Sequence, residues 1–215
     1  MEILKYGFGL WLLIAGGMAS GEPSGEPSEN RRFSYQERDH EAHEMATHVG
    51  VTYAAAWMVY PVTQPAIYTG EKGSWVQYRK DFGRLVYDQD EPFWNWMVHP
   101  LSGSQLYLFY RGMGYDSKSA FGMTTLSSAL FEFTVEVYSE PASIQDLYQT
   151  PVFGSLLGMG IEEVSVELLN SGSPVGEFFG RVINPTSYFM DPGPLKVVPL
   201  TDFNRTFGIS VMGEL

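Results

Sequence analysis

Two sets of residues recur every four positions and carry groups able to hold or pass a proton. Ser128, Glu132 and Glu136 form one set; Asp146, Thr150, Gly154, Gly158 and Glu162 form the other. On a helix this spacing puts side chains on one face. The neighbours of the first set are apolar (Leu130, Phe131, Phe133, Val135, Val137), so its carboxyls are expected in a helix–helix seam. Carboxylates in such a place need an opposing charge, or their pKa rises. Arg111, at the end of the preceding helix, is the expected supplier, and His99, just before that helix, is a further candidate. The candidate polar cluster is therefore His99, Arg111, Glu132, Glu136 and Asp146. Two chemistries fit it. One is general acid–base work, with His99 or a raised-pKa glutamate moving the proton. The other is a satisfied network that locks three helices in register, and this reading is preferred because buried polar networks are more often structural.

Other residues have the types that bind metals. His40, His43, Glu44 and His48 are expected on one helical face. Their order departs from the H-E-x-x-H of zinc proteases, so a solvated polar face is the preferred reading. Asp88, Asp90 and Glu91 read as a polar turn, since the spacing does not continue into an EF-hand loop. Asn204-Arg-Thr206 matches a glycosylation sequon by pattern alone. No P-loop, nucleophile elbow or dinucleotide glycine pattern is present, and no cofactor is implied.

The elements that must position these groups read as helices. Tyr35 to Tyr60 looks helical and stops at Pro61 and Pro65. Trp75 to Phe82 reads as a short helix or an interfacial segment. A longer helix follows Pro100 and ends near Gly112 and Gly114. Asp116 or Ser117 caps a second, running to about Ser139. Pro141 breaks it, and Ser143 caps a third that runs to about Leu169 and ends at Asn170, Gly172 and Pro174. The turn at Pro141 predicts that the second and third helices are antiparallel neighbours, with Glu136 near Asp146 or Thr150. Gly154 and Gly158 form a small-residue stripe that lets another helix come close. The fold class expected is mainly α: a small helical bundle of amphipathic helices with an irregular Gly/Pro-rich C-terminal tail, in which Phe207 to Met212 is a candidate strand.

Before the folded part, Lys5, the apolar run Gly7–Ile14 and the small residues Gly17 and Ala19 follow the grammar of a secretory signal peptide. The repeat GEPSGEPS at 21–28 reads as a flexible linker. The expected division is a signal peptide at 1–19, a linker at 20–32, a helical domain at 33–190 and a tail at 191–215. The 215 residues are 44% hydrophobic and 15% aromatic, enough to build one core. The net charge of −12 repels phosphate backbones and argues against nucleic acid as a partner. There is no cysteine, which excludes disulfides, thiol nucleophiles and thiolate metal sites. Each apolar stretch long enough to span a bilayer contains charge.

Three blocks, WNWMVHPLSGSQLYLFYRGMG, SALFEF and SEPASIQDLYQTPVFGSLLG, together resemble a bacterial family, the domain of unknown function 3943. His99, Pro100, Gly103, Tyr107, Arg111 and Gly114 match its first block. Ser127, Glu132 and Glu136 match the second. Glu140, Ser143, Asp146, Thr150, Pro151, Gly154 and Gly158 match the third, and Asn184-Pro185 after Arg181 matches a later feature. Phe131 stands where the family prefers Trp, and Met159 where it prefers Glu. The resemblance covers roughly residues 75–190. It implies an exported protein in the cell envelope, periplasmic or associated with the outer membrane, and implies no activity.

Three functions follow as expectations. The first is a non-enzymatic envelope module that associates with a membrane surface or an envelope protein. The second is a membrane-proximal enzyme acting on lipid or cell-wall material through the polar cluster. The third is a metal or small-molecule binder using His40, His43 and His48.

Overall fold

The computed structural model describes residues 32–87, 91–190, 195–201 and 207–213. The expected signal peptide, nearly all of the expected linker, Asp88, Asp90 and Asn204 lie outside them. The fold is mainly α, as the periodicity predicts.

The chain enters in extended form. Tertiary hydrogen bonds hold it there: Phe33 N–H donates to Asn170 Oδ1 at 2.7 Å, Asn170 Nδ2 donates to Phe33 O at 2.9 Å, and Arg38 N–H donates to Gly114 O at 2.9 Å. These bonds outcompete the local helix expected from Tyr35. Helix α1 starts instead at Ala42 and runs through Pro61 to Thr63. Pro61, expected to stop the helix, lies inside it and removes the N–H bond to the carbonyl of Trp57 without ending the helix. Short helices α2 (Pro65–Tyr68) and α3 (Trp75–Asp81) follow, the latter capped by Ser74, whose hydroxyl accepts from Gln77 N–H.

Strand β1 (Leu85–Val86) then pairs in parallel with β2 (Ala142–Ser143). Helix α4 (His99–Gly112) is preceded by a π-helical turn at Trp94–Val98. Helix α5 (Ser117–Leu130) is capped by Asp116, whose carboxylate accepts from Lys118 and Ser119 N–H. It passes into a π turn at Phe131–Val135 and a 3-10 turn at Glu136–Tyr138. Helix α6 (Asp146–Tyr148) leads through a third π turn, Gln149–Phe153, into α7 (Gly154–Leu169). Helices α8 (Pro174–Ile183) and α9 (Ser187–Met190) close the helical part. Beyond it, β3 (Leu195–Thr201) and β4 (Phe207–Gly213) pair antiparallel.

Helix α4 is the centre of the molecule. Tyr107, Leu108 and Tyr110 are fully buried and share one cluster with Phe109, Tyr115, Ala120 and Met123. Its largest helix–helix interface is with α7. This differs from the expected seam: α7 lies on α4, whereas α5 reaches the third helical segment mainly near its start, at α6 and the π turn. The reason is the glycine stripe. A Cβ on Gly154 would sit 2.5 Å from Gly103 Cα, and one on Gly158 would sit 2.7 Å from the Tyr107 ring. Only glycine lets these backbones meet. Helices α4 and α7 run parallel in fixed register, pairing His99 with Thr150, Gly103 with Gly154, Tyr107 with Gly158 and Arg111 with Glu162, every pair offset by 51 residues.

Candidate functional site

Three chain segments bring the polar groups together at one end of the α4–α7 ladder. His99 opens α4, Glu132 lies in the π turn after α5, and Asp146 opens α6. The short β1–β2 pairing, together with Ile144 N–H donating to Val86 O at 2.9 Å, ties down the segment that delivers Asp146. His99 Nδ1 is 3.1 Å from Thr150 Oγ1, and His99 Nε2 is 3.4 Å from Asp146 Oδ1. Ser143 joins the other two: its N–H donates to Glu132 Oε2, and its hydroxyl accepts from Asp146 N–H, each at 3.2 Å. One donor atom from each of His99, Glu132 and Asp146 lies within 4.8 Å of the others. All three π turns touch this cluster, just before His99, around Glu132 and around Thr150.

Glu136 completes the group. It is 7% exposed and hydrogen-bonds the Glu132 side chain. Burial first, then the Glu132 charge, with smaller contributions from Glu140 and Asp146, pushes its carboxyl well above the usual carboxylate range. A protonated Glu136 can donate to ionised Glu132, which two carboxylates could not do.

Arg111 is not part of this cluster, which corrects the sequence expectation. It stands at the other end of α4, twelve residues from His99, or roughly 18 Å along the axis. There its Nε donates to both Glu162 oxygens at 3.0 and 2.9 Å, and its Nη2 to Oε1 at 2.7 Å. Its Nη1 donates to Glu37 at 2.9 Å and to Tyr115 O at 2.6 Å. The signal that identifies Glu162 as its partner is the shared ladder of fours, 99-103-107-111 against 150-154-158-162. Glu37 had no such signal, because it arrives on the extended entry segment.

The four-residue histidine face is also corrected. His40 lies before α1, so His40, His43 and His48 do not share a helical face. The His43 side chain is 76% exposed beside Glu41. His40 stacks on Tyr115 with centroids 3.9 Å apart, and His48 Nδ1 is 2.9 Å from the Tyr115 hydroxyl. Glu44 pairs with Arg38. Burial lowers the His48 pKa, with smaller lowering from His40 and Arg38 that outweighs the pull of Glu44. A depressed pKa means that the unfolded chain takes up this proton first as the pH falls below the ordinary 6.5. The stabilisation is thus present above that pH and lost below it. Between about pH 7 and about pH 5 the thermal midpoint is expected to fall, and by less in His48→Gln. Equal slopes in calorimetry of the two proteins would remove His48 as the cause.

Residues 84–192 match the family described as Domain of unknown function (DUF3943). The chain belongs to this family. Comparison with the curated proteins and with the solved structures gives no match. The region matched as DUF3943 contains the whole α4–α7 ladder, from the His99–Glu132–Glu136–Asp146 cluster at one end to Arg111 and Glu162 at the other. It leaves out α1 and the three histidines around it. The DUF3943 part is thus the part that builds the buried polar cluster.

Proposed function

We propose that this chain is an exported envelope protein whose helical module rests non-covalently on a membrane face. The observation that carries this reading is the orientation of α8. Its Gly176 and Gly180 face α7 and the turn after it: an added Cβ would meet Ser171 and Leu168 at the first, and Leu169, Leu168 and Ser165 at 3.0–3.2 Å at the second. Its apolar residues point the other way: Val175, Phe178, Phe179 and Val182 are 65%, 58%, 52% and 42% exposed. That is an i, i+3, i+4, i+7 stripe turned outward, the reverse of a core-facing helix. Trp75, Trp96 and Tyr87 add exposed aromatic surface of the kind that settles between water and lipid. Among the described residues, no helix is long and apolar enough to cross a membrane. With a net charge of −12, the surface suits zwitterionic rather than anionic headgroups.

Flotation with phosphatidylcholine vesicles tests this directly. The native chain is expected to float with the vesicles, and Phe178→Asp/Phe179→Asp to lose at least about tenfold in partitioning. Native protein that stays in the aqueous layer, or that pairs through α8 into a dimer in sedimentation, would overturn the reading. Export is tested by mass spectrometry of the mature N-terminus, expected near Ser20; an intact Met1 would count against it.

The enzyme reading has less support. A catalytic group must reach its substrate, yet Glu132 and Asp146 are 1% and 2% exposed. The closed geometry favours a network that holds α4, the end of α5 and α6 in register.

A further inference from the structure

We infer that His99, Glu132 and Asp146 form a binding site for a divalent first-row transition metal, with Glu136 as a third carboxylate beside them. The site goes beyond membrane association and rests on separate residues. Four observations carry it.

The first is composition and proximity. One imidazole nitrogen and carboxylate oxygens from three different segments lie within 4.8 Å of one another. A metal holding its ligands at about 2.0–2.2 Å needs donor atoms about 3 to 4 Å apart. The His99 Nε2–Asp146 Oδ1 pair, at 3.4 Å, is already in that range.

The second is how the histidine is held. His99 Nδ1 lies 3.1 Å from Thr150 Oγ1, and in the tautomer that donates Nδ1–H to this hydroxyl the Nε2 lone pair faces the carboxylates. Metal-ligating histidines are oriented in this way, through the ring nitrogen that does not bind the ion. Glu132 is oriented similarly by the Ser143 N–H.

The third is Glu136 Oε2. It is buried and has no hydrogen-bond partner among the described residues, while its carboxyl contacts Glu132. Such an orphaned acceptor costs free energy unless a cation or donor meets it.

The fourth is the gathering of acidic groups at the end of α4 away from Arg111. The guanidinium expected to neutralise these acids is committed to Glu162 and Glu37 at the far end of α4. A divalent ion placed between the carboxylates would supply the positive charge there.

The mixed nitrogen and oxygen set selects zinc, manganese or iron over calcium and magnesium, which take oxygen alone. The ion would join three segments that meet only here, and the His99 side chain, 13% exposed, is the way in from solvent.

The test uses the full chain, stripped with chelator and titrated with Zn²⁺ and Mn²⁺ by calorimetry and thermal shift. One equivalent of Zn²⁺ is expected to bind and to raise the melting temperature, whereas Mg²⁺ and Ca²⁺ do not. His99→Gln and Asp146→Asn are expected to weaken binding at least about tenfold, and Thr150→Val, which touches only the positioning bond, by about tenfold. His43→Ala should bind as the native chain does. Absence of binding, unchanged affinity in both ligand variants, or loss with His43→Ala would overturn the site. X-ray absorption of the native zinc-loaded chain keeps the proposal testable if the variants do not fold. One imidazole with carboxylate oxygens supports it; two imidazoles, or water oxygens alone, would sink it.

Discussion

Gly103→Ala is expected to destabilise the fold by about 3 kcal/mol or more, read as a fall in the urea midpoint. A Cβ at this position would lie 1.8 Å from Thr150 O, 2.7 Å from Thr150 C and 3.0 Å from Gly154 Cα. These are backbone atoms, so no side chain can swing aside. Helices α4 and α7 would have to separate, and the His99–Thr150 bond at the same end of the ladder would lengthen with them. The variant should therefore lose the order of the buried cluster as well as stability. Gly122→Ala is the matched control, also in a helix but with nothing within 4 Å of its added Cβ. It is expected to be neutral or to stabilise by up to about 1 kcal/mol through helix propensity. Equal midpoints for the two variants would mean that the α4–α7 contact yields far more easily than its geometry states.

Arg111→Ala is expected to cost about 3 kcal/mol, the lower part of the range for breaking a buried ion pair, because Glu162 keeps 17% of its side-chain exposure. The loss has three parts. Glu162 loses a two-pronged partner, Tyr115 O loses a charged donor, and the entry segment loses its tie through Glu37. The guanidinium also sits 5.2 Å from the Tyr35 ring centroid, a second tie to the same segment. Arg111→Lys should recover little, since one ammonium cannot reproduce the fork to Glu162 while also reaching Glu37 and Tyr115 O. A loss below about 1 kcal/mol would place this pair with surface salt bridges of no structural consequence.

The two variants act at opposite ends of one ladder, and that ladder was partly legible. The four-residue spacing of Asp146, Thr150, Gly154, Gly158 and Glu162 showed one face, and Gly154 and Gly158 showed that a helix would come close. It did not show which helix. The turn at Pro141 suggested α5, because helices joined by a short turn are usually neighbours. The structure chose α4 in parallel, since Gly103 and Tyr107 offer the matching gap and surface.

Periodicity and caps determined by themselves that this chain is mainly α, where its central helices begin, and that Glu132, Glu136 and Asp146 sit on repeating four-residue faces with apolar flanks. Each of these follows from spacing along the chain, which a sequence states directly. Tertiary structure alone decided the parallel α4–α7 pairing, the placement of Arg111 with Glu162 and Glu37, the extended path of residues 32–41, and the outward turn of the α8 apolar stripe. These depend on which surfaces meet. Close backbone contacts at glycine and hydrogen bonds over 137 residues, such as that from Phe33 to Asn170, outweigh local preference once they form.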